Sequence, residues 1–558
     1  MEQNGAKIII DFLISQGCDT VFGYPGGQVL KIFDALYENK DRITHIITAH
    51  EQGASHAADG YARSSGRPGV VIATSGPGST NIITGLATAY LDSVPVIAIT
   101  GNVATSLLGR DSFQEVNTVE ITRTVTKRNW IVKDVTRLAD TLKEAWQTAI
   151  SGRPGPVLID VPADVQTAVC EVKPFKKVDK LPLSLVSESY LDAAALMINK
   201  SVRPFVYFGG GVISANAEEE LLALSEKLDA PMGSSLMGLS AVPHDTPNFL
   251  GMQGMHGHYA SSKAEDEADL VIAVGVRFSD RATGNKNRFS RNFRIIHIDI
   301  DGKELNKNIP ADISMEGDLK DALGRLLTKL ESKARPEWKD RIRELREEED
   351  RYTLNMMSKT PEGFLNPYRV IDIVSGFSAG LPVATDVGQH QMWTAQRYPH
   401  KGTRTFLTSG GLGTMGFGMG AAIGASKATG LRSVLFTGDG SFGMNLNELT
   451  TSVTKKTPLV IVIMNNGVLG MVRQWQTLFY GRHYSETTLE RGTDFVKIAE
   501  GFGAKGRLVF TEQELEDACR EAFSYDGTYV IDCAVDCDEF VLPMLPPGGS
   551  IDDIITEL

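Results

Sequence analysis

The sequence is poor in cysteine, has no excess of positive charge and contains no long run of purely apolar residues. Its five cysteines, scattered over 558 residues without a CxxC pair, indicate neither a disulfide framework nor a zinc site, so a reducing, cytoplasmic location is expected. Lys and Arg number 56 against 69 Asp and Glu, and a net charge of −13 argues against nucleic acid or anionic lipid as a partner. The first residues, MEQNGAKIIIDFL, lack the basic region of an export or transit signal.

Two stretches, residues 69–91 and 405–426, carry almost no charge. The first contains the turn sequence SGPGSTN and the second is crowded with glycine, so neither can run as an uninterrupted lipid-facing helix. We therefore expect buried turns beside a ligand and no membrane association. The chain has 55 glycines, roughly 10% against a usual ~7%, and many lie in clusters where a backbone can approach a ligand.

Short β-branched runs ending in glycine-rich or polar turns recur in three blocks, each followed by a helix-like segment. This pattern predicts an α/β protein with three doubly wound parallel-sheet domains, over residues 1–170, 188–335 and 360–545. A Lys- and Pro-rich linker separates the first two blocks. The highly charged run at residues 331–351 predicts a solvated helix with i,i+4 ion pairs.

The most informative segment is GDGSFGMNLNELTTSVTKKTPLVIVIMNN, which reads as strand end, helix, buried strand and Asn pair. In a parallel sheet, Asp439 and Asn466 then meet at the carboxyl edge, where they can bind one hard cation through oxygen. Gly438 and Gly440 let a diphosphate approach the backbone. Two ordinary βα turns are the alternative, but GDG and NN at this spacing form a specific pair.

This segment resembles the fingerprint of the thiamine diphosphate enzymes. The resemblance implies Mg²⁺ held by Asp439, Asn466 and the main-chain carbonyl of Val468. It also implies that TDVGQHQMW and TSGGLGTMGFG line the cofactor, and that Met415 props the thiazolium against the pyrimidine. The further residues expected at the cofactor are Gly388, Gln389, His390, Gly411, Ser441, Gly470 and Met471.

Glu51 follows a predicted buried strand in ITAHEQGASHAADGYAR, and we expect a carboxyl in an apolar pocket there that exchanges a proton near neutrality. Taken alone, Glu51 is also explained as a charge at a helix N-terminus. With the resemblance, it becomes the carboxyl that bonds to the pyrimidine N1′. The family builds each site from two chains, so a homodimer or homotetramer with sites at the dimer interface is implied.

The motifs VFGYPGG, ATSGPGSTN, RDSFQE, GMHG, GVRFSDRATG and LGMVRQWQTLFY resemble the catalytic large subunits of acetohydroxyacid synthases. The resemblance implies that Arg281 and Trp475 shape the site of the second 2-oxoacid. Arg can hold a carboxylate bidentately, and Trp supplies a rigid apolar wall. Phe113 and Gln114 are expected to line the donor side.

The same resemblance implies FAD in the middle domain. The glycine triplet after a strand is weak evidence by itself. The family's flavin contacts fall on further residues of this chain, and the expected set is Arg153, Gly209, Gly210, Gly211, Met255, His256, Gly275, Arg277, Asp299, Gly317 and Asp318.

The expected activity is decarboxylation of pyruvate and transfer of the two-carbon unit to pyruvate or 2-oxobutyrate, the first common step of branched-chain amino acid biosynthesis. A small regulatory subunit is left open. Ala104, Ala163 and Ser279 depart from the family pattern, which leaves room for a related FAD and thiamine carboligase with another acceptor. The sequence is also compatible with a flavin-dependent pyruvate oxidase or with a catalytically idle scaffold.

Overall fold

The computed structural model describes residues 2–557, and these form three α/β domains, each built on a six-stranded sheet. All strand pairs within the three large sheets are parallel, as the recurring buried runs followed by helices predict. The predicted α/β class is confirmed. Within the described residues, no helix is long and apolar enough to cross a membrane.

The N-terminal sheet has the order β3-β2-β4-β5-β7-β6, and a small antiparallel pair, β1 with β8, lies apart from it. Its strands are β1 Glu2–Asn4, β2 Thr20–Tyr24, β3 Thr44–Ile47, β4 Gly69–Ala73, β5 Val96–Asn102, β6 Arg128–Ile131, β7 Val157–Pro162 and β8 Val169–Glu171. Its helices are α1 Gly5–Ser15, α2 Leu30–Glu38, α3 Glu51–Ser65, α4 Pro77–Asn81, α5 Ile83–Leu91, α6 Thr118–Thr122, α7 Leu138–Ile150 and α8 Ala163–Thr167.

The middle sheet has the order β11-β10-β9-β12-β13-β14. Its strands are β9 Pro204–Phe208, β10 Met232–Ser234, β11 Phe249–Met252, β12 Leu270–Val274, β13 Arg294–Asp299 and β14 Ile313–Glu316. Its helices are α9 Glu188–Lys200, α10 Gly210–Ala215, α11 Glu218–Leu228, α12 Tyr259–Asp266, α13 Asp280–Thr283, α14 Lys286–Phe289, α15 Leu319–Leu327 and α16 Pro336–Met357.

The C-terminal sheet has the order β16-β15-β17-β18-β20-β19. Its strands are β15 Val383–Thr385, β16 Phe406–Leu407, β17 Ser433–Gly438, β18 Leu459–Asn465, β19 Lys505–Val509 and β20 Tyr529–Ala534. Its helices are α17 Pro367–Ser378, α18 Gln389–Arg397, α19 Phe417–Thr429, α20 Asp439–Asn445, α21 Leu449–Thr454, α22 Gly470–Phe479, α23 Phe495–Gly501 and α24 Glu512–Ser524.

Helix α16 covers most of the charged run, but its pairing differs from the prediction. Its internal ion pairs are spaced i,i+3, as for Arg341 with Glu344, or i,i+7, as for Arg341 with Glu348, and no i,i+4 ion pair occurs among the described residues of this helix. Arg341 also pairs with Glu267 at 2.8 Å, and Trp338 is buried. The helix is thus partly a packed element that binds the middle domain, and only one face of it is solvated.

Helices α3 and α19 join the N-terminal and C-terminal domains in one hydrophobic core. A methyl group on Gly420 would lie 2.7 Å from the carbonyl oxygen of Gly53, so the two backbones touch and no larger residue fits. Gly424 meets Ala57 in the same way. Part of the glycine excess therefore serves helix packing, and the expectation that residues 405–426 form turns beside a ligand was too broad, because helix α19 occupies the second half of this stretch.

Candidate active site

One cavity of about 1890 Å³ lies between the middle and C-terminal domains, and two short stretches of the N-terminal domain, residues 91–93 and 152–154, also line it. Pockets for a single small ligand usually measure roughly 300–1,000 Å³. The cavity is therefore large enough for more than one ligand. The predicted site residues in its wall are Arg153, Gly210, Gly211, Met255, His256, Gly275, Arg277, Arg281, Asp299, Asp318, Gly388, Gly411, Met415, Met471 and Trp475.

Three helices begin at the carboxyl edge of the C-terminal sheet, after the neighbouring strands β15, β17 and β18. None of α18, α20 and α22 has a side chain that caps its N-terminus. Their first residues, Gln389, Asp439 and Gly470, were all predicted to bind cofactor. The first N–H groups of a helix have no partner inside it, and aligned peptide dipoles favour an anion at that end. This edge of the sheet can thus accept a diphosphate.

Asp439 and Asn466 lie side by side, as their spacing predicts. The Asp439 carboxylate is buried, accepts a hydrogen bond from the Asn466 backbone N–H, and makes no ion pair with any described residue. Burial raises the pKa of Asp439 to about 6, because no cation compensates for the loss of solvent. The Asn466 side-chain oxygen accepts from the Val468 N–H at 3.2 Å. A buried carboxylate without a counter-charge, beside an amide oxygen, fits a hard divalent cation.

His390 is buried directly behind Gly388. Its Nε2 atom has no partner among the described residues, and burial lowers its pKa to about 3, so the ring is neutral. A methyl group on Gly438 would lie 2.9 Å from His390 Nδ1, so the ring needs a glycine there. An unpartnered ring nitrogen at this place fits a polar ligand group.

Gln389 connects the predicted metal region to the core of the domain. Its Nε2 donates to Gln474 Oε1 at 3.1 Å, and its Oε1 accepts from Asn466 Nδ2 at 3.2 Å. Gln474 is completely buried and in turn donates to the Val541 carbonyl at 3.0 Å. Sequence reasoning missed Gln474, because a Gln on an amphipathic helix reads as a surface residue.

The loop with Gly411 and Met415 is fixed from the N-terminal domain. The Gly411 N–H donates to Asp92 Oδ1 at 2.7 Å, and Asp92 pairs with the buried Arg63 at 3.0 Å. Ser441 donates to the Val387 carbonyl at 3.1 Å, in the segment that follows β15. Met415 lies in the cavity wall, near Gly440. Asp92 carried no recognisable motif and was not predicted.

In the middle domain, Gly211 and Gly275 bring two chain segments together, because a methyl group on Gly211 would lie 2.7 Å from the Gly275 Cα. Arg153 pairs with Glu304 at 2.7 Å, and Arg277 donates to the Leu91 carbonyl at 2.6 Å. Burial raises the pKa of Asp299 to about 6. The wall of the cavity therefore carries charged side chains, and at the two glycines a ligand can approach the backbone closely.

Two residues of the predicted flavin set have packing positions outside the cavity wall. Gly209 lies against the backbone of Gly275, and a methyl group on Gly317 would lie 3.0 Å from the Ser184 carbonyl oxygen. A glycine is needed at each of these two positions because two segments of the backbone pass in contact there. The prediction for these two positions stays untested, but neither lies in the wall of the cavity.

Arg281 and Trp475, predicted for the second 2-oxoacid, lie together although almost two hundred residues separate them. The guanidinium carbon lies 5.4 Å from the centre of the indole ring, within the range of a cation–π contact. Arg281 Nη1 also lies 3.3 Å from Met255 Sδ. Arg281 Nε lies 3.8 Å from Asp280 Oδ2, a pair exposed on both sides, and the Arg281 side chain remains 60% exposed, so a carboxylate that enters the cavity can still reach its guanidinium group.

Glu51, Gln114 and Phe113 lie elsewhere. The Glu51 carboxylate accepts from Asn81 Nδ2 at 2.9 Å, and Gln114 lies against the Gly76 loop. None of the three lines the cavity, and Phe113 is 85% exposed. The strand before Glu51 was expected to be buried, but this strand, β3, lies at the edge of its sheet and is partly exposed. The expected apolar pocket around Glu51 is therefore not closed by the residues of this chain.

Glu448 anchors the start of the Glu51 helix from the C-terminal domain. Its completely buried carboxylate accepts from the Ala49 N–H at 3.1 Å, from the His50 N–H at 3.0 Å and from Thr451 Oγ1 at 2.6 Å. Desolvation raises the pKa of Glu448. Glu448 was not predicted from the sequence. It lies only nine residues after Asp439 along the chain, so its closeness in sequence to the predicted metal site could have drawn attention to it.

The three positions that depart from the family pattern differ in setting. Ser279 lies in the cavity wall. Ala163 begins α8, whose Asp164 accepts a hydrogen bond from the Thr105 N–H at 3.0 Å, directly after Ala104. Ala104 and Ala163 are therefore neighbours on the N-terminal domain and do not line the cavity.

The order of the three domains matches that of the thiamine pyrophosphate enzymes, thiamine pyrophosphate being another name for thiamine diphosphate. The N-terminal TPP-binding domain of these enzymes matches residues 3–121, their central domain residues 191–326, and their C-terminal TPP-binding domain residues 386–533. The chain is thus an enzyme of the thiamine pyrophosphate class, and the predicted thiamine diphosphate cofactor is confirmed at that level.

Full-length relatives narrow the class. The chain is 44% identical to the probable acetolactate synthase large subunit of Methanocaldococcus jannaschii, over 99% of this chain and 95% of that protein. It is 42% identical to the large subunit of acetolactate synthase isozyme 2 of Escherichia coli over 100% of both chains, and 40% identical to the mitochondrial acetolactate synthase catalytic subunit of Saccharomyces cerevisiae, over 99% and 83%. The chain belongs to the family of acetolactate synthase large subunits, which confirms the family and enzyme class predicted from its motifs.

Proposed function

We propose that the chain is a catalytic subunit that decarboxylates pyruvate and joins the remaining two-carbon unit to a second 2-oxoacid. The products are 2-acetolactate from pyruvate and 2-aceto-2-hydroxybutyrate from 2-oxobutyrate. The observation that carries this proposal is the pairing of Arg281 with Trp475 in the same cavity wall as Met415. An acceptor site next to the cofactor site is what a carboligase requires and what a simple decarboxylase does not.

Each group of residues has a distinct task in this proposal. When bound, thiamine diphosphate supplies the carbanion chemistry that releases CO₂ from a 2-oxoacid. The uncapped N-termini of α18, α20 and α22 bind its diphosphate, and Asp439, Asn466 and the Val468 carbonyl hold Mg²⁺. Arg281 binds the carboxylate of the second 2-oxoacid, and Trp475 contacts its alkyl group.

Glu51 moves the proton at the pyrimidine in this scheme, and it must come from a second copy. Glu51, Phe113 and Gln114 do not line the cavity of their own chain, and the exposure of Phe113 leaves an aromatic ring free to pack against another surface. We therefore propose a homodimer, or a homotetramer built from it, whose sites combine the Glu51 region of one chain with the cavity of the other.

FAD is proposed for the middle-domain part of the cavity. The close approach at Gly211 and Gly275, the two arginines and the Asp299 carboxyl at the end of β13 support it. A small regulatory subunit is a proposed partner, because similar proteins are named large subunits. The five free cysteines support a reducing location such as the cytoplasm.

The test is product analysis with pyruvate, Mg²⁺, thiamine diphosphate and FAD. The proposal predicts acetolactate and CO₂ without oxygen consumption, and a loss of about 10²–10⁴-fold in rate for Glu51→Gln with cofactor still bound. Oxygen uptake equal to CO₂ release would instead identify an oxidase. Full activity of Glu51→Gln would remove Glu51 from its proposed role.

A further inference from the structure

A buried ion-pair network links the N-terminal domain to the Met415 loop (residues 408–416). Arg63 lies at its centre, with Asp59 on the same helix α3 and Asp92 directly after helix α5. Arg63 Nη2 lies 3.0 Å from Asp92 Oδ2, and the side chains of both aspartates are completely buried. Replacing a buried ion pair by apolar side chains is often neutral for stability, so the position of this network beside the cavity points to a further task.

The network binds the start of the Met415 loop through the loop's backbone. Asp92 Oδ1 accepts a hydrogen bond from the Gly411 N–H at 2.7 Å, and Asp92 Oδ2 accepts one from the Gly410 N–H at 3.1 Å. Arg63 Nη1 donates to the Thr408 carbonyl at 3.0 Å. Hydrogen bonds in which one partner is ionised are roughly twice as strong as neutral ones. One carboxylate and one guanidinium group thus fix the backbone from Thr408 to Gly411.

The loop touches the end of helix α5 at a second point. A methyl group on Gly411 would lie 2.7 Å from Leu91 Cβ, so the backbone approaches the carboxylate only because this position is a glycine. Further along the loop, Thr414 Oγ1 lies 2.8 Å from Thr88 Oγ1. Thr88 lies on α5, one turn before Asp92. Both contacts place the residue next to Thr414, which is Met415, relative to the N-terminal domain.

Asp92 is itself held from both sides by arginines of the cavity wall. The Leu91 carbonyl accepts from Arg277 Nη1 at 2.6 Å, and Ser93 Oγ accepts from Arg153 Nε at 2.8 Å. Ser93 has a φ of 61°, in the left-handed region that is unfavourable for a residue other than glycine. A backbone held in this way leaves the Asp92 carboxylate little freedom to follow a loop that moves.

We propose that Asp92, oriented by Arg63, is a positioning residue that fixes the Met415 loop, so that Met415 holds the two rings of thiamine diphosphate at reacting distance. This inference rests on the proposed function, in which the cofactor binds in this cavity. The uncapped helix N-termini proposed for the diphosphate lie on other segments. Loss of the Asp92 carboxylate should therefore displace the rings without releasing the cofactor, and a displacement of about 1 Å can lower a rate by about 100-fold.

The first measurement uses the ligand-free chain. Asp92→Asn preserves the shape of the side chain, but its NH₂ group faces a donor, either the Arg63 guanidinium or the Gly410 N–H. Asp140→Asn, an exposed change on α7, is the matched control. Amide hydrogen exchange of the Met415 loop should rise at least about tenfold in Asp92→Asn and stay unchanged in the control.

The second measurement uses the enzyme loaded with Mg²⁺ and thiamine diphosphate, and it is expressed per bound cofactor. Asp92→Asn should bind the cofactor within about threefold of the wild-type affinity, while kcat and the exchange rate of the thiazolium C2 proton both fall about 10- to 100-fold. The KM for pyruvate should change less than about threefold. A role confined to folding would reduce the fraction of loaded enzyme and leave the C2 exchange rate of each bound cofactor unchanged.

Arg63→Lys is the second variant, because it keeps the buried positive charge but loses the planar fork that bonds to Asp92 and Thr408 together. It should show the same pattern as Asp92→Asn. Wild-type hydrogen exchange in the Met415 loop, or wild-type C2 exchange per bound cofactor in both variants, would overturn the positioning role. A wild-type chain that neither binds thiamine diphosphate nor exchanges its C2 proton would overturn the proposed function and this inference together.

Discussion

Removal of the Glu448 carboxylate should loosen the start of the helix that carries Glu51. In Glu448→Ala, the N–H groups of Ala49 and His50 and the Thr451 hydroxyl lose their acceptor inside a buried contact. Glu448→Gln is the milder change, since its one amide oxygen can accept from only part of this set and its NH₂ group faces a donor.

The magnitude follows from the number of donors left unpaired. A buried donor without a partner costs about 1–3 kcal/mol, so three donors give about 3–9 kcal/mol for Glu448→Ala. The carboxylate is itself desolvated in the wild type, as its raised pKa shows, and its removal offsets part of this cost. We therefore expect the lower end, about 3 kcal/mol, or a fall of roughly 6–12 °C in melting temperature.

The assay combines thermal unfolding with carboligation kinetics. Glu448→Gln, which should lose about 1–3 kcal/mol, is expected to fold and to show a kcat lowered by about 10- to 100-fold, because Glu51 begins directly after the two anchored residues. Glu500→Gln, an exposed change in the same domain, is the control and should match the wild type. Wild-type melting temperature and kcat in Glu448→Ala would refute the anchoring role.

Three further predictions concern the proposed acceptor site, the proposed metal site and the buried carboxyl of Glu265. Trp475→Ala should reduce the preference for 2-oxobutyrate over pyruvate about tenfold in a competition assay, and Arg281→Gln should raise the KM for the acceptor. An unchanged product ratio in the first variant and an unchanged KM in the second would exclude these two residues from the acceptor site. Mg²⁺ with thiamine diphosphate should raise the melting temperature of the wild type but not of Asp439→Asn, and an equal rise in both would exclude Asp439 as a ligand. The pKa of Glu265 is about 8 in the folded protein, above its ordinary value, so the folded state binds a proton that the unfolded state has released. As pH rises from about 5 to 8, the free energy of unfolding of the ligand-free wild type should therefore fall by about 1.4 kcal/mol per pH unit relative to Glu265→Gln. Melting curves of both proteins at about pH 5 and about pH 8 check this.

The sequence predicts the central strand of each sheet well and most of the edge strands poorly, although the edge strand β3 was predicted. Strands β5, β12 and β18 are continuous apolar runs because both faces of a central parallel strand are buried. Strands β6, β14 and β19 lie at or near the sheet edges with mixed polarity, and no simple period marks them. A strand can be predicted from its apolar pattern only where its side chains are buried, and the side chains of edge strands are less buried.

The site divides along the same line. Asp439 and Asn466 were predictable because a strand end fixes each of them, and the parallel topology brings both ends to one edge. The contact of Arg281 with Trp475 was implied only by resemblance, since it joins two domains. Glu448 and Glu265 were not predicted, because their significance comes from burial against distant segments, which no spacing along the chain reports.

The central claim is that this cavity joins two 2-oxoacids. The most direct measurement is product analysis after incubation with equal pyruvate and 2-oxobutyrate, Mg²⁺, thiamine diphosphate and FAD. We predict 2-aceto-2-hydroxybutyrate together with acetolactate, because Trp475 offers an apolar wall to the longer alkyl group. Acetaldehyde or acetate as the sole products besides CO₂ would contradict the claim.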